Sequence, residues 1–292
     1  MIKAALLLLS CALLHAGTIA VVNNAATGSG VMFFDSVTLA PSGWFTVASP
    51  LRGISYGAGS DLYLSSGPGV YHVNAGGSVL HSLPNAGADG FFDVSYRNGF
   101  VYIADNTSDD VQGVLRTDAA LSILGIFSTA TTIQGIAAGA AGEVYVAETE
   151  SVTRFRDDGT VLDSLGSQGA DNFSSLSFNG TELFITDNSS IGINAVLTAN
   201  ASLALTNTLM PDFEIGGLAA GSAGDVFLTS GNQIVRYSSD GTLLNSYTGS
   251  VGDQFADLTF RTDAVPEPST LSLAAAGAAL LAALARRRGP SH

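Results

Sequence analysis

Two sets of oxygen-bearing side chains recur in this sequence at a fixed interval. Asn23, Asp105 and Asp187 form the first, each followed by an asparagine: Asn24, Asn106 and Asn188. Asp89, Asp171 and Asp253 form the second, each followed two residues on by Phe91, Phe173 or Phe255. Members of a set stand 82 residues apart. Brought to one axis, five such carboxylates would repel, raise one another's pKa or hold a hard cation such as Ca²⁺, which takes oxygen ligands. Aspartate and asparagine also close turns through their own backbone, and a turn copied three times needs them in each copy. The turn role is the stronger expectation. The residues stand as a candidate ligand or cation face, and no cofactor is demanded by them.

The rest of the chemical inventory is thin. Cys11 is the only cysteine, and outside the two ends the only histidines are His72 and His81, which leaves no Cys/His zinc site and no disulfide framework. There is no Gly-x-Ser-x-Gly elbow, phosphate loop or His-Glu-x-x-His helix. Glu148 ends a β-rich run, and its counterparts at the same interval are Ser66 and Ser230, so in a metal site at a shared axis it would be the one asymmetric acid. A surface position is expected for it. Both histidines fall in one repeat and read as surface or packing groups. A catalytic role is not expected of these residues. The net charge of −14 argues against nucleic acid as a partner. With 46% apolar residues the chain can build a core and is not a disordered one.

The elements that would position these groups follow from the repeat. Gly53-Ile54-Ser55, Gly135-Ile136-Ala137 and Gly217-Leu218-Ala219 keep the 82-residue interval, as do Ile19–Asn24, Val101–Asn106 and Leu183–Asn188. Each unit divides again: Ile54, Val94, Ile136, Leu176, Leu218 and Leu258 occupy one equivalent position at spacings of 40 and 42. Within each half, short β-rich runs alternate with turn signals such as Asp158-Gly159, Asp240-Gly241 and Gly76-Gly77. Four strands per roughly 41 residues is the signature of a propeller blade, so the expected fold is an all-β, six-bladed β-propeller. The last half-unit has only one strand, Asp257–Arg261, and three strands are legible at the other end in Ile19–Asn23, Gly30–Asp35 and Phe45–Ala48. Together they would complete the sixth blade and close the ring, removing an open edge.

The two ends read as addresses. Residues 1–16 carry Lys3, an apolar stretch and a small-residue site, the pattern of a signal peptide. Processing as a lipoprotein at Cys11 is the rival. At the other end, Pro266-Glu267-Pro268 precedes an apolar Ala/Leu stretch and then Arg286, Arg287 and Arg288. As a helix the apolar stretch spans about 25 Å, close to a bilayer core of about 30 Å, with the arginines left on the cytoplasmic side. The domains expected are therefore a signal peptide at 1–16, the propeller at 17–264 and a sorting signal with a transmembrane helix at 265–292.

This ordered tail resembles the PEP-CTERM sorting signal of exosortase substrates. The resemblance implies processing by exosortase near Pro-Glu-Pro, a transient stay in the inner membrane, and release to the cell surface or extracellular matrix of a Gram-negative, exopolysaccharide-making bacterium. The blades Gly135–Gly166 and Gly217–Gly252 resemble NHL repeats, although Ser151 and Gln233 stand where that family usually has an arginine. The function expected is an exported binding protein whose partner is a surface protein or a polysaccharide. One alternative is a metal-dependent hydrolase or lyase of the gluconolactonase kind, with Glu148 at the metal. Another is a matrix-building protein with no discrete ligand.

Overall fold

The computed structural model describes residues 17–26, 28–85, 90–106, 112–129, 131–140, 142–167, 171–189, 194–221 and 224–262. The expected signal peptide, the transmembrane helix, Asp89 and the tail residues Pro266–Pro268 and Arg286–Arg288 lie outside these residues. Among those described, no helix is long and apolar enough to cross a membrane.

The chain opens with β1 (Gly17–Ala25), β2 (Gly28–Asp35) and β3 (Pro41–Val47). Blade one is β4 (Leu51–Tyr56), β5 (Leu62–Ser66), β6 (Gly69–Val73) and β7 (Val79–Pro84). Blade two is β8 (Phe91–Arg97), β9 (Phe100–Asn106), β10 (Gln112–Asp118) and β11 (Ile123–Ser128). Blade three is β12 (Ile133–Ala138), β13 (Glu143–Glu148), β14 (Ser151–Arg156) and β15 (Val161–Gly166). Blade four is β16 (Phe173–Phe178), β17 (Glu182–Asn188), β18 (Asn194–Asn200) and β19 (Leu205–Leu209). Blade five is β20 (Gly217–Ala220), β21 (Val226–Ser230), β22 (Gln233–Tyr237) and β23 (Leu243–Thr248), and β24 (Phe255–Thr262) follows. All pairings are antiparallel, and the sixth sheet has the order β24-β1-β2-β3, so the two ends of the propeller share one blade as expected.

Sheet packing explains the residue pattern. Six apolar clusters sit one at each blade junction: Phe91 packs with Tyr63 and Val70 between blades one and two, Phe173 with Tyr145 between three and four, and Phe255 with Phe227 between five and six. The recurring phenylalanines are therefore wedges between blades. The second strands, with sheets on both sides, are buried almost throughout. At the axis the inner strands crowd, and a side chain no longer fits: a Cβ on Gly53, Gly135 or Gly217 would lie 2.3–2.6 Å from the neighbouring blade.

The hairpin between third and fourth strands has two solutions. Blades one, three and five use Gly77, Gly159 and Gly241, with φ of 80°, 87° and 84°, where glycine escapes the Cβ clash. The other three use Leu39, Leu121 and Leu203, with φ of 53°, 64° and 59°. Left-handed leucine is strained, but each of these side chains is buried and plugs the preceding junction, which offsets that cost.

Candidate functional site

The ends of β1, β9 and β17 come to one face of the ring with the loops that enter their own blades. There the asparagines act as staples. Asn106 Nδ2 donates to the Ile133 carbonyl at 2.6 Å, and Ile133 N–H donates back to Asn106 Oδ1 at 2.8 Å. Asn24 does the same to Leu51 (2.7 and 3.0 Å) and Asn188 to Ile215 (2.8 and 3.0 Å). Each amide thus bridges one blade to the backbone of the next, which explains its presence in every copy. Replacing Asn106 by alanine leaves both Ile133 backbone groups without these partners. A loss of about 2–3 kcal/mol is expected, read as a melting drop of roughly 5–10 °C. A drop below about 1 °C would refute the staple.

The aspartates bind inward, toward their own loops. Asp187 Oδ1 accepts the Asn172 N–H at 2.8 Å and Asp105 Oδ1 the Gly90 N–H at 3.3 Å. Asn23 Nδ2 donates to Asp253 Oδ1 at 2.8 Å, and Asn23 Oδ1 accepts the Gln254 N–H at 2.9 Å. Burial, and secondarily the nearby Asp171 carboxylate, raises the Asp187 pKa above its ordinary value, while the Asn172 N–H opposes this. The structure therefore joins these residues in local pairs. Among the described residues, no group of three or more His, Cys, Asp or Glu side chains is gathered to hold a metal ion.

Glu148 differs from its expected surface position, since it is 7% exposed. Its Oε1 accepts the Thr131 N–H (3.1 Å) and its Oε2 the Ser151 hydroxyl (2.8 Å), so both oxygens hold loops around the end of β13. His72 and His81 do pack: Tyr96, Tyr63, His72 and His81 form one continuous stack, with ring centroids 4.5–5.5 Å apart. His72 Nε2 also lies 3.3 Å from Asp61. The same pairing, 11 residues apart, recurs as Arg154 with Glu143 and Arg236 with Asp225.

A pair of acids that the sequence motifs do not single out lines the axis. The six inner strands enclose a polar channel with a cavity of about 150 Å³. Asp93 and Asp257 project into it from β8 and β24, and Ser175 holds the third position of that set. Ile136 N–H donates to Asp93 Oδ2 at 2.8 Å, and Ile54 N–H to Asp257 Oδ2 at 2.9 Å, each across to the next blade. Ser95 and Ser177 repeat this two residues further along their strands, accepting the Ala138 and Ala220 N–H groups at 2.9 Å. Both carboxyls keep some exposure to the channel, yet protein surrounds them. Desolvation pushes Asp93 up to about 7 against the pull of the Ile136 and Val94 N–H groups. It also raises Asp257 well above the usual carboxylate range, helped by Asp93. The signal was the residue preceding the shared Ile/Leu/Val position. It alternates glycine (Gly53, Gly135, Gly217) with Asp93, Ser175 and Asp257.

Comparison with known proteins adds two findings. Residues 264–288 match the PEP-CTERM protein-sorting motif. No curated protein matches the chain. Among solved structures, a protein of unknown function from Bacteroides caccae is similar at 13% identity and TM-score 0.68, covering 85% of this chain and 100% of that one. A chain of a nidogen–laminin complex is similar at 11% identity and TM-score 0.68, covering 84% and 98%. A streptogramin B lyase is similar at 13% identity and TM-score 0.54, covering 68% and 69%. At these identities the likeness is one of fold.

Proposed function

We propose that this propeller, carried by a chain with a PEP-CTERM sorting motif at residues 264–288, is an exported, exosortase-processed surface or matrix protein that acts by binding and not by catalysis. The observation that carries the reading is the order of the two parts. The strand that closes the ring ends at Thr262, and the sorting motif begins at residue 264. A cut near Pro266-Glu267-Pro268 would sever the anchor and leave every blade whole. Polar side chains that would serve catalysis are engaged structurally: Asn24, Asn106 and Asn188 hold the backbone of the next blade, and Glu148 holds the Thr131 N–H and the Ser151 hydroxyl. The partner we propose is an extracellular polysaccharide or another surface protein.

The test compares the full chain with a triple variant, Pro266→Ala, Glu267→Ala and Pro268→Ala, in a Gram-negative host that has an exosortase. The parent chain is expected in the surface or medium fraction without Arg286–Arg288, and the variant at full length in the inner membrane. Identical size and location for both would overturn the reading.

A further inference from the structure

The three-fold repeat predicts three equivalent grooves where blades one, three and five meet the blade that follows. At the equivalent positions two of the junctions have aliphatic or small residues: Leu83 and Ile126, and Leu165 and Thr208. The third carries Tyr247 and Trp44 in those places. Trp44 is the only tryptophan in the chain. It sits on the outer strand β3 and is 71% exposed, although a large aromatic is ordinarily the residue a fold hides. The repeat is broken a second way at this junction. Asn23 stands where the other two copies of the repeat have Asp105 and Asp187, so Asp253 is the one carboxylate lining this groove.

We propose that this groove, between β23 and the closing blade, binds one ring of a neutral polysaccharide. The proposal deepens the binding function above and rests on its polysaccharide form. The groove holds about 290 Å³, near the lower end of the range for ligand pockets, which suits a single sugar ring. Trp44 and Tyr247 offer flat apolar faces for the C–H side of a sugar. Ser29, Thr46 and Ser250, three uncharged hydroxyl-bearing residues, also line it, a composition matched to sugar hydroxyls.

Charge chooses among ligands. No arginine or lysine lines the groove, and the chain carries −14 overall, so a uronate or sulfated sugar would be repelled. The Asp253 carboxylate accepts Asn23 Nδ2 (2.8 Å) and the Ser250 N–H (2.7 Å), which hold it against its own loop. A second groove, of about 330 Å³, is also lined by Trp44, with Phe33, Ser42 and Arg261, whose Nη1 donates to the Gly59 carbonyl at 2.7 Å. A glycan strand crossing β3 would place successive rings in the two grooves that share this indole.

The lone tryptophan makes the test specific, because fluorescence excited beyond tyrosine absorption reports Trp44 alone. The full chain is titrated with hexamers of β-1,4-linked glucose, xylose and N-acetylglucosamine, and with polygalacturonate. A saturable emission shift with at least one neutral hexamer is expected, and none with polygalacturonate. Affinity is then measured by calorimetry. Trp44→Leu should weaken it about tenfold or more with the melting temperature unchanged, and Trp44→Phe, which keeps a smaller platform, should fall between. An equal response to polygalacturonate overturns the proposal. Unchanged affinity in Trp44→Leu overturns the site and leaves polysaccharide binding standing. No shift with any hexamer, while the chain is still retained on an intact neutral exopolysaccharide, also overturns this site alone. No saccharide binding of any kind overturns both.

Discussion

Deleting Gly17–Ala25 is expected to abolish cooperative folding of the whole propeller. These residues form β1, which hydrogen-bonds on one side to β24 from the far end of the chain and on the other to β2. Its core residues Ile19, Ala20, Val21 and Val22 are fully buried. They point alternately into two junctions: Ile19 and Val21 pack toward blade five, Ala20 and Val22 toward blade one. Burial of an Ile or Val side chain is worth about 1.5–3 kcal/mol, so the strand's apolar contribution alone approaches the 5–15 kcal/mol net stability of a typical domain. Its loss would also strand β24 at the centre with unpaired backbone groups. The expected result is loss of the sigmoidal thermal transition in circular dichroism. A truncated chain that melts within about 5 °C of the parent would show that the shared blade does not hold the ring shut.

That closure is legible in the sequence because it depends on counting. Strand number, blade number and the split sixth blade all follow from the 82-residue interval and from where Ile19–Asn24 and Asp257–Arg261 fall within it. Roles that depend on which way a side chain turns were harder to read. Asn106 and Asp105 are neighbours in sequence and look alike as polar turn formers, yet one clamps the next blade and the other caps its own entering loop. Glu148 looks like a surface acid because glutamate usually is one; only the loops folding over it, through Thr131 and Ser151, bury it. Trp44 sits in a strand pattern that predicts nothing about whether a neighbouring blade covers it.

The axial acids make the propeller's stability depend on pH in a direction opposite to that of most carboxylates. Asp93 has a folded pKa raised to about 7, and Asp257 is raised well above the ordinary 3.8. Between 3.8 and about 7 the folded state therefore holds a proton that the unfolded chain has released. The stabilisation from a raised carboxyl is complete below the unfolded pKa, falls as pH climbs through this window and levels off above the folded value. For Asp93 the ceiling is about 4 kcal/mol, which water in the channel reduces. Asp35, whose pKa is lowered chiefly by the Thr38 N–H, has the opposite sign, but its effect falls below 3.8; Asp187, raised by burial, adds to the axial pair in the same direction. Ser175 shows that the third copy of the position works without a titrating group. Urea midpoints should therefore drop from pH 5 to pH 8 in the parent chain. Asp93→Asn keeps an oxygen for the Ile136 N–H and cannot ionise, so it should flatten part of that drop and raise stability at pH 8. Asp93→Asn with Asp257→Asn should remove most of it. An undiminished pH slope in the double variant would mean that the two carboxyls ionise in the channel as freely as in water, and that the slope arises elsewhere.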